Sequence, residues 1–134
     1  MRRTSATTEA ESPKPKTLIF VADARKELKA MPAEVMDAFG NDLWNIQCGD
    51  TPINASPFEG NRAGNLMKLT ERHDGNTYRC VYAAKFRKAV FVLHVLQKKS
   101  KSGIATPQSE IERVHTRYAA ATKLYNELFP LEEA

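Results

Sequence analysis

Apolar residues recur at helical spacing in the first third of this chain and at strand spacing in its middle. Between Ala33 and Gln47, the residues Val35, Met36, Phe39, Leu43 and Ile46 follow at three- and four-residue steps, which predicts an amphipathic helix ended by Gly49 and Asp50. Before it, Thr17 to Val21 is a short β-branched and aromatic run that predicts a strand. Asp23 stands where an N-cap belongs, and Ala24 to Met31 is built of good helix formers. Pro32 breaks that helix and suits the first turn of the next.

From Thr51 to Asn65 the chain is rich in Pro, Asn, Gly and Ser, so a loop is expected. Alternation then predicts strands over Leu66 to His73, Thr77 to Ala84 and Ala89 to Gln97. Asp74-Gly75-Asn76 is the hairpin turn between the first two, and the basic turn Lys85 to Lys88 joins the last two. AVFVLHVL is apolar almost throughout, as expected of a central strand covered on both faces. After a basic loop, Lys98 to Ala105, Thr106 and Pro107 open a last helix with Ile111, Val114, Tyr118, Tyr125 and Leu128 on its apolar stripe. The expected architecture is α+β: an antiparallel sheet packed against two N-terminal helices, with a C-terminal helix. Residues 1–16 lack periodicity and carry Pro13 and Pro15, so they are expected to form a disordered arm ahead of one domain over 17–130.

Bulk properties remove several function classes. The chain has 134 residues, the size of a single domain. No apolar run approaches the ~20 residues that span a bilayer, so no membrane partner is expected. Arg2 and Arg3 are not followed by the apolar core of a secretory signal. Cys48 and Cys80 stand alone, with no Cys-x-x-Cys pair and no clustered histidines; this points to the reducing cytoplasm and away from structural zinc or another cofactor.

Charge changes the picture more. Gly60 to Lys101 carries ten basic residues (Arg62, Lys68, Arg72, Arg79, Lys85, Arg87, Lys88, Lys98, Lys99 and Lys101) against Glu71 and Asp74, a net +8, while the whole chain is +4. The remainder must therefore sum to −4. Cations concentrated in one β-rich segment present a positive face, which attracts polyanions and above all nucleic acid. Strand alternation puts Leu66, Lys68, Thr70 and Arg72 on one face and Met67 and Leu69 on the other. The second set is the natural core face, so Lys68 and Arg72 should point to a side of the sheet left uncovered. Arg79 on the partner strand can stand beside Lys68, and Lys98 shares a strand face with His94. Any one of these cations alone reads as a solvated surface group, and a lone histidine in an apolar strand as a satisfied core residue.

No Ser-His-Asp set, paired-carboxylate signature, phosphate-binding Gly loop or metal-ligand spacing is present. Catalysts drawn from cations, with a histidine or tyrosine, suit transesterification of RNA. There the ribose 2′-OH attacks its own 3′ phosphate, an arginine neutralises the developing charge, and a lysine whose pKa is lowered by neighbouring cations and burial handles the proton.

Four stretches, LIFVADARKELKAMPAEV, LWNIQCG, LMKLTERHDGNTYRCVYAA and VFVLHVLQKKSKSGIATPQSEIERVHTRY, resemble the HigB-type toxins, the phage-derived branch of the RelE/ParE toxin superfamily. The resemblance covers Thr17 to Tyr118. Its most specific parts are Tyr78-Arg79 followed by Tyr82, and the run from Leu93 to Pro107. It implies a RelE-like domain with a concave basic sheet surface, and a metal-independent, ribosome-dependent endonuclease that cuts messenger RNA. It also implies a helix-turn-helix, HigA-like antitoxin through which operator DNA is bound. Carried over, the active cations are Lys68, Arg79 and Lys98, with His94 behind them, while Arg62, Arg72, Lys99 and Lys101 clamp RNA. Three other expectations compete: a ParE-like toxin that inhibits gyrase, a non-catalytic RNA-binding module, and an inert phage-derived domain.

Overall fold

A computed structural model describes residues 14–59, 65–98 and 107–130 of the chain. The elements run β1 (Thr17–Phe20), α1 (Ala24–Lys29), α2 (Ala33–Gln47), β2 (Ala55–Pro57), β3 (Leu66–His73), β4 (Asn76–Ala83), β5 (Ala89–Lys98) and α3 (Gln108–Leu128). The strands form one sheet in the order β1-β5-β4-β3-β2. The α+β class expected from the pattern is the one observed. β2 to β5 are antiparallel to their neighbours, and β1 adds a parallel edge, Thr17 opposite Ala89 through Phe20 opposite Val92. β1 and β5 are joined through α1, α2 and β2 to β4, a connection long enough for the chain to come back in the same direction.

Local chemistry explains the ends of these elements. α2 buries Val35, Phe39, Leu43 and Ile46, and Pro32 stands at its N-cap position without a side-chain cap. At its C-terminus the Gly49 amide donates to the Ile46 carbonyl at 3.0 Å and the Asp50 amide to Asn45 at 2.9 Å, with Gly49 at φ +99°. That is a Schellman closure, which needs the left-handed backbone glycine adopts most cheaply. The β3–β4 hairpin turns through Asp74 at φ 50° and Gly75 at φ 79°, closed by His73 opposite Asn76. Two positive φ values match the twist of the strands.

Three expectations change. The span 51–65 was expected to be loop throughout, yet Ala55–Pro57 pairs with β3, Ser56 lying opposite Lys68. The middle strand is β4, while β5 lies one place aside and is still buried on both faces. The side of the sheet bearing Leu66 and Lys68 is not bare. α1 and α2 cover one face, with Leu69, Cys80, Tyr82, Val90 and Val92, and α3 covers part of the other, burying Leu66, Val81, Ala83, Phe91 and Leu93. The reason is the apolar half of each strand: Leu66, Val81 and Ala83 on that face need cover, and the stripe of α3 supplies it through Val114, Ala121 and Tyr125. Thr106, the expected cap of α3, lies outside the described residues; Pro107 occupies the cap position.

Of the expected arm, residues 1–13 lie outside the described residues. Lys16 is tied in: its amide donates to Gln47 O at 2.8 Å and its Nζ to Ala84 O at 2.9 Å. Among the described residues no helix is long and apolar enough to cross a membrane.

Candidate functional site

Strand register builds the site. Residues paired across the sheet point to the same side, so the face under α3 can be read in rows. Leu66 lies opposite Ala83; then come Lys68, Val81 and His94; then Thr70, Arg79 and Leu96; and at the hairpin end Arg72, Thr77 and Lys98. Successive rows are about 7 Å apart. α3 covers the row of Leu66 and Ala83 and the β5 end of the next, and the cations begin with Lys68 at the β3 end of that row.

Lys98 belongs to this face because of one irregularity. In β5 the pairing jumps from Val92 opposite Tyr82 to His94 opposite Val81, leaving Leu93 as an extra residue. Leu93 and Leu96 both pack in the α3-side core, although they are three apart, while Val92 and Val95 pack on the α1–α2 side. Without the bulge, strict alternation from Leu93 would send Lys98 to the opposite face from Arg79.

Lys68 and Arg79 converge on one carboxylate. Glu59 accepts from Lys68 Nζ on Oε1 at 2.8 Å and from Arg79 Nη1 on Oε2 at 2.7 Å. The side chains of Lys68 and Arg79 are only 16% and 12% exposed, that of Glu59 28%. Two cations from adjacent strands, half withdrawn from water, thus present their hydrogens to both oxygens of a single anion. Charge-assisted contacts of this kind are the strong ones, and two donors on two oxygens is also how a phosphodiester's non-bridging oxygens are held. Glu59 was not singled out in the sequence, because the basic segment starts one residue after it.

His94 is held in a second network. It is 3% exposed, with Nδ1 2.9 Å from Glu27 Oε1 and Nε2 against Glu110 Oε1. Arg117 Nη1 donates to the same Glu27 oxygen at 2.9 Å and to the Leu93 carbonyl at 3.0 Å, and the Val95 amide donates to Glu27 at 3.1 Å. Burial opposes ionisation of Glu27, but Arg117, the Val95 amide and His94 together outweigh it and hold the carboxyl below its ordinary range. This is a tie between α1, β5 and α3, with both imidazole nitrogens engaged. The structure therefore does not bring His94 to the Lys68–Arg79 pair as an open group.

Tyr78 and Tyr82 lie in the core on the α1–α2 side, at 5% and 2% exposure. Burial, with smaller effects of Cys80 and Asp42, pushes the Tyr82 phenol up to about 12. Neither ring reaches the cationic face. Arg72 is exposed at the hairpin end of that face, while Arg62, Lys99 and Lys101 lie outside the described residues. No group of three His, Cys, Asp or Glu side chains suited to a metal ion occurs among the described residues.

A known toxin shares this fold. The E. coli toxin RelE, a double mutant in the free state, aligns with a TM-score of 0.52 over 81% of this chain and 98% of its own, at 21% identity. A chain of the Mycobacterium tuberculosis toxin–antitoxin complex RelBE2 aligns less well: TM-score 0.46, 20% identity, 63% of this chain and 100% of that one. No curated protein matches the sequence. The phage-derived protein Gp49-like family matches residues 26–119, from inside α1 to the middle of α3, and so takes in the whole cationic face: the chain belongs to the Gp49-like family of phage-derived proteins.

Proposed function

We propose that this protein is the toxin of a toxin–antitoxin pair, of HigB type, and that it cleaves ribosome-bound messenger RNA without a metal ion. The observation that carries the reading is the convergence of Lys68 and Arg79 on two oxygens of one anion. The family and the RelE-like fold support it. The ribose 2′ oxygen bonds to the adjacent phosphorus while the bond from phosphorus to the 5′ oxygen breaks. One group takes the 2′ proton, and one returns a proton to the leaving oxygen. Arg79 neutralises the charge that builds on the phosphate, where a fixed, partly desolvated guanidinium is worth most. Lys98 or Lys68 moves the protons, and Arg72, with Arg62, Lys99 and Lys101, holds the RNA backbone. His94 orders the strand end that carries Lys98. The partner is a helix-turn-helix antitoxin of HigA type, which brings operator DNA with it, and the setting is the cytoplasm.

Mapping transcript 5′ ends after induction in a sensitive host tests this. New ends within translated messages, absent with Arg79→Ala, are expected. Growth arrest with intact messages and stalled replication would instead mark a gyrase inhibitor. Binding to single-stranded RNA should weaken with salt at a log–log slope near −4 if about six phosphates are neutralised.

A further inference from the structure

We propose that Glu59 is an internal anion that fills the Lys68–Arg79 site in the free protein and is displaced when an RNA phosphate enters. The inference rests on the reading of that pair as a phosphate site and adds how the site is regulated.

The geometry is that of a bound ligand supplied by the chain itself. Glu59 Oε1 accepts from Lys68 at 2.8 Å and Oε2 from Arg79 at 2.7 Å, so the carboxylate and an incoming phosphate cannot both hold these donors. The tether is short on its N-terminal side. Phe58, 2% exposed, anchors the preceding residue in the α3-side core, and its amide donates to the Leu66 carbonyl at 3.0 Å, closing the base of the span 59–65. Glu59 is the first residue beyond that anchor. Rotation about its side-chain bonds is enough to release both cations, with no movement of the sheet.

A carboxylate here has a physical purpose. Two cations held close and mostly out of water repel one another and lose hydration, and an anion between them offsets both costs. Because Glu59 is covalently attached, it competes at a high effective concentration. A lone phosphate or a stray RNA must overcome it with two contacts. A message already held by many contacts on a ribosome does so with binding energy drawn from elsewhere. Glu59 thereby sets a threshold against unproductive RNA, and it does so without touching the fold.

The test measures affinity and cleavage separately. Glu59→Gln keeps the shape and removes the charge; Glu59→Ala removes the side chain. Both should bind a 2′-deoxy-substituted, non-cleavable oligonucleotide, and inorganic phosphate, about tenfold more tightly than the parent at fixed salt. Adding Arg79→Gln to Glu59→Gln should erase the gain. In the unsubstituted protein, titration with phosphate should shift the Glu59 side-chain carboxyl resonance together with the Arg79 guanidinium signals, a readout that needs no variant to fold. Unchanged or weaker binding in both Glu59 variants overturns the proposal, as does a Glu59 resonance indifferent to phosphate. So does a collapse of cleavage at unchanged affinity, which would make Glu59 part of the reacting set. Tighter phosphate binding with no cut transcript leaves Glu59 a gate on an anion site and sinks the RNA-cleaving reading instead.

Discussion

Two carboxylate–cation assemblies sit near the same sheet, and they differ in where their anions come from. Around His94, the acids are Glu27 from α1 and Glu110 from α3, both on regular helices packed against the sheet, and Arg117 closes the group. Around Lys68 and Arg79, the acid is Glu59, beyond the last residue of β2 and its buried neighbour Phe58. The acids' exposures are not far apart, 20% for Glu27 and 28% for Glu59. What separates them is the element that carries the acid: Glu27 lies within α1 and joins it to β5 and α3, whereas Glu59 lies outside every helix and strand. Losing the Glu27 carboxylate would strand Arg117, the Val95 amide and His94 between three packed elements, so that ion pair is a tie; Glu59 answers two cations of the sheet, which is what the proposed exchange for a phosphate requires.

That distinction is easiest to break at Arg79. Arg79→Ala should lower message cleavage about 10²–10³-fold, the usual loss when a preorganised donor to a developing oxyanion is removed, while leaving the thermal midpoint nearly unchanged. If it melts the protein as badly as a substitution in the tie, the two assemblies are not different in kind. Glu27→Ala is the mirror image. It strands Arg117 and the Val95 amide in a largely buried place, so chemical denaturation should show a loss of about 3 kcal/mol. A loss within a few tenths of that scale's zero would mean the network does not hold α1 and α3 to β5.

The pH dependence sharpens the same point. The Glu27 carboxyl is held below its ordinary value of 4.5 in the folded state, so the stability it supplies is fully present above that value. It drains away as pH falls from there through the lower folded value. The stability difference between the parent and Glu27→Gln should thus be flat from neutrality down to about 4.5 and shrink below it. A difference that grows on acidification would reverse the assigned shift. The smallest effect belongs to Arg72, exposed at the hairpin end of the cationic face: Arg72→Ala should weaken RNA binding uniformly across sequences and make the salt slope shallower by about 0.7. No change in slope would remove Arg72 from the RNA-facing surface.

The sequence determined whatever depends on neighbours along the chain. Helical spacing from Val35 to Ile46 is enough to predict α2, Asp74-Gly75 to predict the hairpin, and alternation to place Lys68 and Arg72 on one strand face, because such periodicities are set by backbone geometry within a few residues. The concentration of cations after Gly60 was equally plain. Only tertiary structure decided what shares space with them. The extra residue at Leu93 reverses the strand's parity and returns Lys98 to the side of Arg79. α3 folds over the apolar end of a face that alternation alone leaves open. Acids from positions 27, 59 and 110 arrive beside cations and a histidine that stand 9 to 90 residues away along the chain. Charge acts through space and is indifferent to order along the chain, so a count of residues in any segment could show that the face was positive but not which anions answer it.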